Sequence, residues 1–265
     1  MNILDEIIAW KKLEVQENKE LYPVKLLEKS IYFTAQPVSL QKYVCRTDLS
    51  GIIAEFKRKS PSKGIINEFA DPATVCLEYM QAGASALSVI TDQKYFGGSS
   101  KDLKTARRHN YCPILRKDFI IDEYQVIEAR SIGADAILLI AEVLEPDQLK
   151  HLYKAATGLQ MEVLFEIHDE KSIDKLPPDA KIIGINNRNL RSFDVSIEHS
   201  MNLADKLPKG VTRIAESGID SPATLLKLRQ AGFDGFLMGE RFMRETNPGR
   251  ACKLFIEQIK KEKGF

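Results

Sequence analysis

The stretch IGADAILLI, Ile132–Ile140, reads as a helix end handing over to a buried strand: a Gly, a small residue and an Asp, then five apolar residues in a row. Gly just past a helix supplies the left-handed turn that ends it. An apolar run without polar alternation suits a parallel strand covered on both faces. Weaker copies stand at AGAS, from Ala82, and AGFD, from Ala231. Eight such apolar runs lie along the chain: Gly51–Phe56, Ala86–Thr91, Cys112–Leu115, Ala136–Ile140, Glu162–Ile167, Ile182–Ile185, Thr212–Ala215 and Gly235–Met238. The segments between them carry helix signals. Ser221-Pro222 gives an N-cap and a Pro in the first turn, Leu225 and Leu228 a buried face, and Gly232 a stop; Leu149, Leu152, Tyr153 and Ala156 repeat at helical spacing, closed by Gly158.

Eight βα units predict an α/β chain of the (β/α)8 TIM-barrel class, residues 1–265 as one domain with 1–49 as an N-terminal helical extension. Ile3, Ile7, Ile8 and Trp10 are read as that extension's apolar face. A doubly wound sheet would use fewer strands, and no GxGxxG follows the first.

The 265 residues carry 38 Lys+Arg against 37 Asp+Glu, so no overall field favours nucleic acid or an anionic membrane. The four cysteines are far apart and read as reduced thiols of a cytoplasmic protein, and the scattered histidines suggest no metal site. MNILDEIIAWKKLEV lacks the apolar core of a signal peptide, and no run is long enough to span a bilayer.

Chemistry in such a barrel sits at the C-terminal strand ends. Strand parity places Ile53, Glu55 and Lys57 on one face of the first strand and Ile52, Ala54 and Phe56 on the other. The same alternation turns Pro113, Leu115 and Lys117 inward on the third strand, and Glu162, Leu164 and Glu166 on the fifth, with Glu162 near the bottom as a structural group. The sixth run ends in Asn186 and Arg188, the seventh in Glu216 and Ser217. Any one of these is commonly a solvated loop residue; their coincidence at one rim is what points to a site, since inward charges are costly unless paired. Arg58 is expected to be solvated, whereas Lys59 and Lys63 stay open between solvent and site. The Gly-containing loops AESGI (215–219) and LMGER (237–241) stand where such barrels bind phosphate.

The stretches IIAEFKRKSPSKG, SVITDQKYFGGS, PILRKDFIIDEYQ, GADAILLI, LFEIHDE, IGINNRNL, RIAESGI and GFLMGERFM together resemble, in order, the indole-3-glycerol phosphate synthase family. The resemblance implies a carboxy-lyase of tryptophan biosynthesis that closes, decarboxylates and dehydrates 1-(o-carboxyphenylamino)-1-deoxyribulose 5-phosphate without metal or organic cofactor. It implies Lys117 as the general acid, Glu166 as its acid/base partner, and Lys57 as the group that pairs with the substrate carboxylate or assists dehydration. Glu55, Asn186, Arg188 and Glu216 match residues that contact substrate or orient the lysines. Ser60 and Pro61 match the loop closing over the anthranilate part, and Phe119 and Leu138 its apolar pocket. Lys59, Ser217, Gly218, Gly239 and Glu240 fall at phosphate positions, with the Glu240 side chain expected to point away from the anion.

The partner implied is a phosphorylated small molecule, with a monomer expected and neither nucleic acid nor membrane. Two rivals are a phosphoribosylanthranilate isomerase-like barrel, which would carry Cys and Asp where Lys57 and Asn186/Arg188 stand, and a non-catalytic basic-loop binder. The binder would turn Lys57 and Lys117 outward and interleave aromatics.

Overall fold

The computed structural model describes residues 3–189 and 194–262; Leu190 of the IGINNRNL stretch and the extremities of the 1–265 span lie outside them. Among the described residues eight strands build the barrel: β1 (Ile52–Phe56), β2 (Ala86–Ile90), β3 (Ile114–Lys117), β4 (Ala136–Ile140), β5 (Glu162–Ile167), β6 (Ile182–Asn186), β7 (Thr212–Glu216) and β8 (Gly235–Met238). They close into a barrel in the order β1-β8-β7-β6-β5-β4-β3-β2, each neighbouring pair parallel. This is a (β/α)8 TIM barrel preceded by a helix, Ile3–Leu21.

The repeated Gly turns explain the handover. Gly83, Gly133 and Gly232 have φ of 96°, 92° and 87°. The next residue's N–H reaches back to the helix in each case: Ala84 to Tyr79 O at 3.1 Å, Ala134 to Ala129 O at 3.1 Å, and Phe233 to Leu228 O at 3.2 Å. Free helix carbonyls are thereby satisfied. The fourth residue of each turn holds the neighbouring chain: Ser85 Oγ, Asp135 Oδ2 and Asp234 Oδ2 accept from the backbone N–H of Gly51, Ile114 and Arg213, each at 2.8 Å. Each turn thus pins the base of the preceding strand.

Strand parity separates two cores. Ile53, Leu115, Leu164 and Ile214 fill the barrel interior, while Ile52, Ala54, Phe56 and Phe165 pack under the helices. A short helix, Leu40–Val44, plugs the bottom with Leu40 and Val44. Glu162 is tied there, accepting from Ser39 Oγ at 2.6 Å and Gln41 N at 2.9 Å, as its low position on the strand requires.

Three expectations need correction. The third strand begins at Ile114 rather than Cys112, since Pro113 has no N–H to donate to the ladder. The helix Pro146–Gly158 contains Gly158, and Gln160 (φ 61°) takes the left-handed turn. On the first helix the buried stripe is Leu4, Ile7, Lys11 and Val15, whereas Trp10 is 38% exposed. Residues 4, 7, 11 and 15 keep one helical face, from which Trp10 is rotated.

Candidate active site

The C-terminal ends of the strands surround one cavity, lined among others by Glu55, Lys57, Lys117, Glu166, Asn186 and Glu216. Parity aims all six inward, and register sets Asn186 opposite Glu216 and Glu166 opposite Gly184, two residues before Asn186. Lys117 Nζ lies 2.8 Å from Glu166 Oε2 and 3.4 Å from Glu216 Oε2. Asn186 Nδ2 donates to Glu166 Oε1 at 3.0 Å. A second pair, Lys57 Nζ to Glu55 Oε1 at 2.8 Å, stands at the end of β1. Two glycines make this crowding feasible. A Cβ on Gly184 would meet Glu216 Oε1 at 2.1 Å, and one on Gly239 would meet Glu55 Cβ at 2.9 Å.

The burial of these groups splits their proton affinities. Burial alone would lower the Lys117 ammonium, but Glu166, Glu216 and Glu55 outweigh it and hold the pKa above the usual value. Burial would raise Glu166, yet the Lys117 charge and the bonds from Lys117 and Asn186 keep it below the ordinary carboxylate range. Glu216 goes the other way: burial, with Glu166 adding to it against the pull of Lys117, pushes it up to about 8. As a carboxylate, Glu216 would have no hydrogen-bond donor on either buried oxygen, only the ionic contact with Lys117; protonated, it can donate toward Glu166. One cation thus stands between an ionised and a protonated carboxyl group, an arrangement that supports paired acid and base chemistry.

The rest of the cavity has two ends. Phe96, Phe119, Leu138 and Ile140 form an apolar end, with the Phe96 and Phe119 rings 6.0 Å apart. Ser60 and Pro61 line the mouth above it, where Lys59–Ser60 and Gly64–Ile65 form an antiparallel ribbon. Ser217, Gly218, Gly239 and Glu240 line the opposite end. Ser217 and Gly218 both have φ of 67°, so the loop after β7 passes through two left-handed residues, the second of them a Gly. The Glu240 side chain, expected to point away, lines the mouth between Arg188 Nη2 at 3.5 Å and Lys63 Nζ at 3.8 Å.

Two basic residues are placed differently from expectation. Lys59 does not line the cavity; its ammonium donates to Lys94 O. Arg58 is not a solvated loop residue: its guanidinium grips Asp102 at 2.7 and 3.0 Å and lies 4.8 Å from the Phe56 ring centre. Asp102, buried in the first turn of the helix Ser100–His109 that follows β2, supplies the partner that local sequence does not display.

The lining residues that sequence reasoning missed include Ile3, Leu4 and Ile7 of the first helix, and Asp92, Phe96 and Asp118 of the loops after β2 and β3. The 3.6-residue spacing of Leu4, Ile7 and Lys11 was the available signal for the first group. Among the described residues no group of three or more His, Cys, Asp or Glu could hold a metal ion, and no helix is long and apolar enough to cross a membrane.

The family model for indole-3-glycerol phosphate synthase matches residues 4–255. Proteins of that name from Bacteroides thetaiotaomicron and Campylobacter fetus are 46% and 44% identical to this chain over 258 and 252 residues; these cover 97% and 95% of it and 99% and 98% of the relatives. The one from Salinibacter ruber is 42% identical over 264 residues, 98% of this chain and 97% of its own. Solved structures at low identity share the barrel. A chain described as "Native KDPGal structure" is 17% identical with a TM-score of 0.57, covering 83% of this chain and 96% of that one. A mandelate oxidase mutant is 15% identical with a TM-score of 0.62, covering 86% and 81%.

Proposed function

The chain belongs to the indole-3-glycerol phosphate synthase family, and from that premise we propose how its barrel mouth divides the work of a carboxy-lyase of tryptophan biosynthesis. The substrate is 1-(o-carboxyphenylamino)-1-deoxyribulose 5-phosphate. An aryl carbon attacks the ribulose carbonyl, the carbonyl oxygen takes a proton, carbon dioxide leaves the ring, and the new hydroxyl departs as water. The first step needs a cationic acid, the second a held carboxylate, and the third an acid on the leaving oxygen and a base for a proton.

Lys117 is assigned the first proton. Its charge is sustained by Glu166 at 2.8 Å, and Glu216 keeps a further proton beside it. Lys57, held by Glu55 in the free protein, is assigned the substrate carboxylate, then the leaving hydroxyl. Glu166, kept ionised and oriented by Asn186, is the base. Phe119 and Leu138 take the aryl ring and Ser60 and Pro61 cover it. The phosphate lies against the backbone N–H groups of Ser217, Gly218 and the Gly239–Glu240 turn, with Arg188 at its rim. The Glu240 carboxylate is tolerated there because Arg188 and Lys63 neutralise it.

The observation that carries this reading is the presence of two lysine–glutamate pairs, Lys117–Glu166 and Lys57–Glu55, each at 2.8 Å within one mouth. Incubating the purified protein with the carboxyphenylamino-deoxyribulose phosphate should give indole fluorescence and an equal amount of carbon dioxide. Absence of both would overturn the proposal.

A further inference from the structure

Below the cavity wall formed by Ile3, Leu4 and Ile7, the first helix buries a lysine: Lys11 is 1% exposed. Lysine is rarely buried unless paired. Here its ammonium lies 2.9 Å from Asp118 Oδ1, 3.0 Å from Asp92 Oδ2 and 3.0 Å from Glu14 Oε2. Burial alone would lower its pKa, but Asp118, Asp92 and Glu14 outweigh that and keep it charged. Asp118 directly follows Lys117 at the end of β3, and Asp92 stands two residues beyond β2. Both carboxylates are already built into their loops. Asp118 Oδ2 accepts from Thr91 Oγ1 and pairs with Arg116 at 3.2 Å. Asp92 Oδ1 accepts from the N–H groups of Tyr95 and Phe96 at 2.8 and 3.1 Å. The C-terminal half of the same helix is tied separately, through Tyr124 Oη donating to Asn18 O at 2.8 Å.

We propose that Lys11 is a positioning residue for the reaction: its ammonium fastens the N-terminal half of the first helix to the ends of β2 and β3, so that Leu4 and Ile7 form a wall against the substrate's aryl ring. Lys11 itself touches no reacting atom. The inference rests on the reading of this mouth as the site of indole ring closure. Without the charge, the N-terminal half loses its buried ionic anchor while the far half stays tied. Loss of an apolar wall remote from the reacting atoms removes binding that ground state and transition state share, which raises KM and spares kcat.

The molecule contains its own reporter. Trp10 is the single tryptophan, and its ring packs under Lys94 Nζ, 3.7 Å from the ring centre. The test compares wild type, Lys11→Met and Asp92→Asn. The second variant leaves an oxygen for Tyr95 and Phe96 and turns an amide NH2 toward Lys11. In Lys11→Met, KM for the substrate should rise about tenfold to a hundredfold with kcat within about threefold, and Trp10 emission should move to longer wavelength. Asp92→Asn should shift both readouts the same way by less, and it decides the matter if Lys11→Met does not fold. The double variant Leu4→Ala/Ile7→Ala should reproduce the rise in KM with Trp10 emission unmoved. A lower melting temperature with unchanged KM and unchanged Trp10 emission would make Lys11 a merely structural residue and overturn the proposal, as would an unchanged KM in the double variant. Failure of the activity reading looks different: wild type itself would not turn over substrate, while Trp10 emission and hydrogen exchange of the first helix would still show whether Lys11 seats it.

Discussion

Replacing Glu216 by Gln should make the protein more stable at alkaline pH and leave it nearly unchanged at acid pH. The carboxyl is buried, and its pKa is pushed up from an ordinary 4.5 to about 8. A group that binds its proton more tightly in the folded state contributes stability that is fully present below the unfolded pKa and is lost as pH rises through the folded one. Over the window between those two values the unfolded chain ionises and the folded chain does not. At about 1.4 kcal/mol per pH unit, wild type should lose on the order of 3 kcal/mol between about pH 5 and pH 7.5 from this group alone, levelling off above about pH 8. Gln keeps the shape and removes the titration. The assay is urea unfolding of both proteins at a series of pH values, with the difference in unfolding free energy isolating Glu216 from other titrating groups. A difference that stays flat from pH 5 to about 9 would refute the assignment of a protonated Glu216, and so would a Gln variant that loses ground as pH rises.

Gly184→Ala should cost activity more than its one methyl suggests: its Cβ would fall 2.1 Å from Glu216 Oε1, so the carboxyl must move from beside Lys117. A drop in kcat of about tenfold or more is expected, and wild-type kcat would show that the position of Glu216 is unimportant. Glu162→Ala should act on stability instead, removing the acceptor for Ser39 Oγ and Gln41 N at the barrel bottom. A loss of about 1–3 kcal/mol in unfolding free energy with kcat and KM unchanged is expected, and a change in kcat would contradict the separation of bottom from mouth.

The barrel was legible because its signals are local. A Gly turn, an apolar run and a period of two all lie within ten residues, and the parity of Glu55, Lys57, Lys117 and Glu166 follows from that period. What was not legible depends on partners far along the chain. Lys11 gains its partners Asp92 and Asp118 only when the ends of β2 and β3 are folded beside the first helix. Arg58 reads as solvated until Asp102, 44 residues on, is placed beneath it. Lys59 carries the composition of a phosphate ligand but is turned to Lys94 by the short ribbon that contains it. Gly184 gives no local reason for being Gly, since the atom it accommodates belongs to another strand.

In the proposed mechanism Lys117, held between Glu166 and Glu216, supplies the proton for ring closure. Its most direct test is the steady-state turnover of Lys117→Ala, followed by indole fluorescence, in a variant whose circular dichroism shows an intact barrel. The predicted result is a fall in kcat of about 10²–10⁴-fold, the contribution of a general acid. A folded Lys117→Ala protein that retains more than roughly half of wild-type turnover would contradict the claim, because no general acid contributes so little.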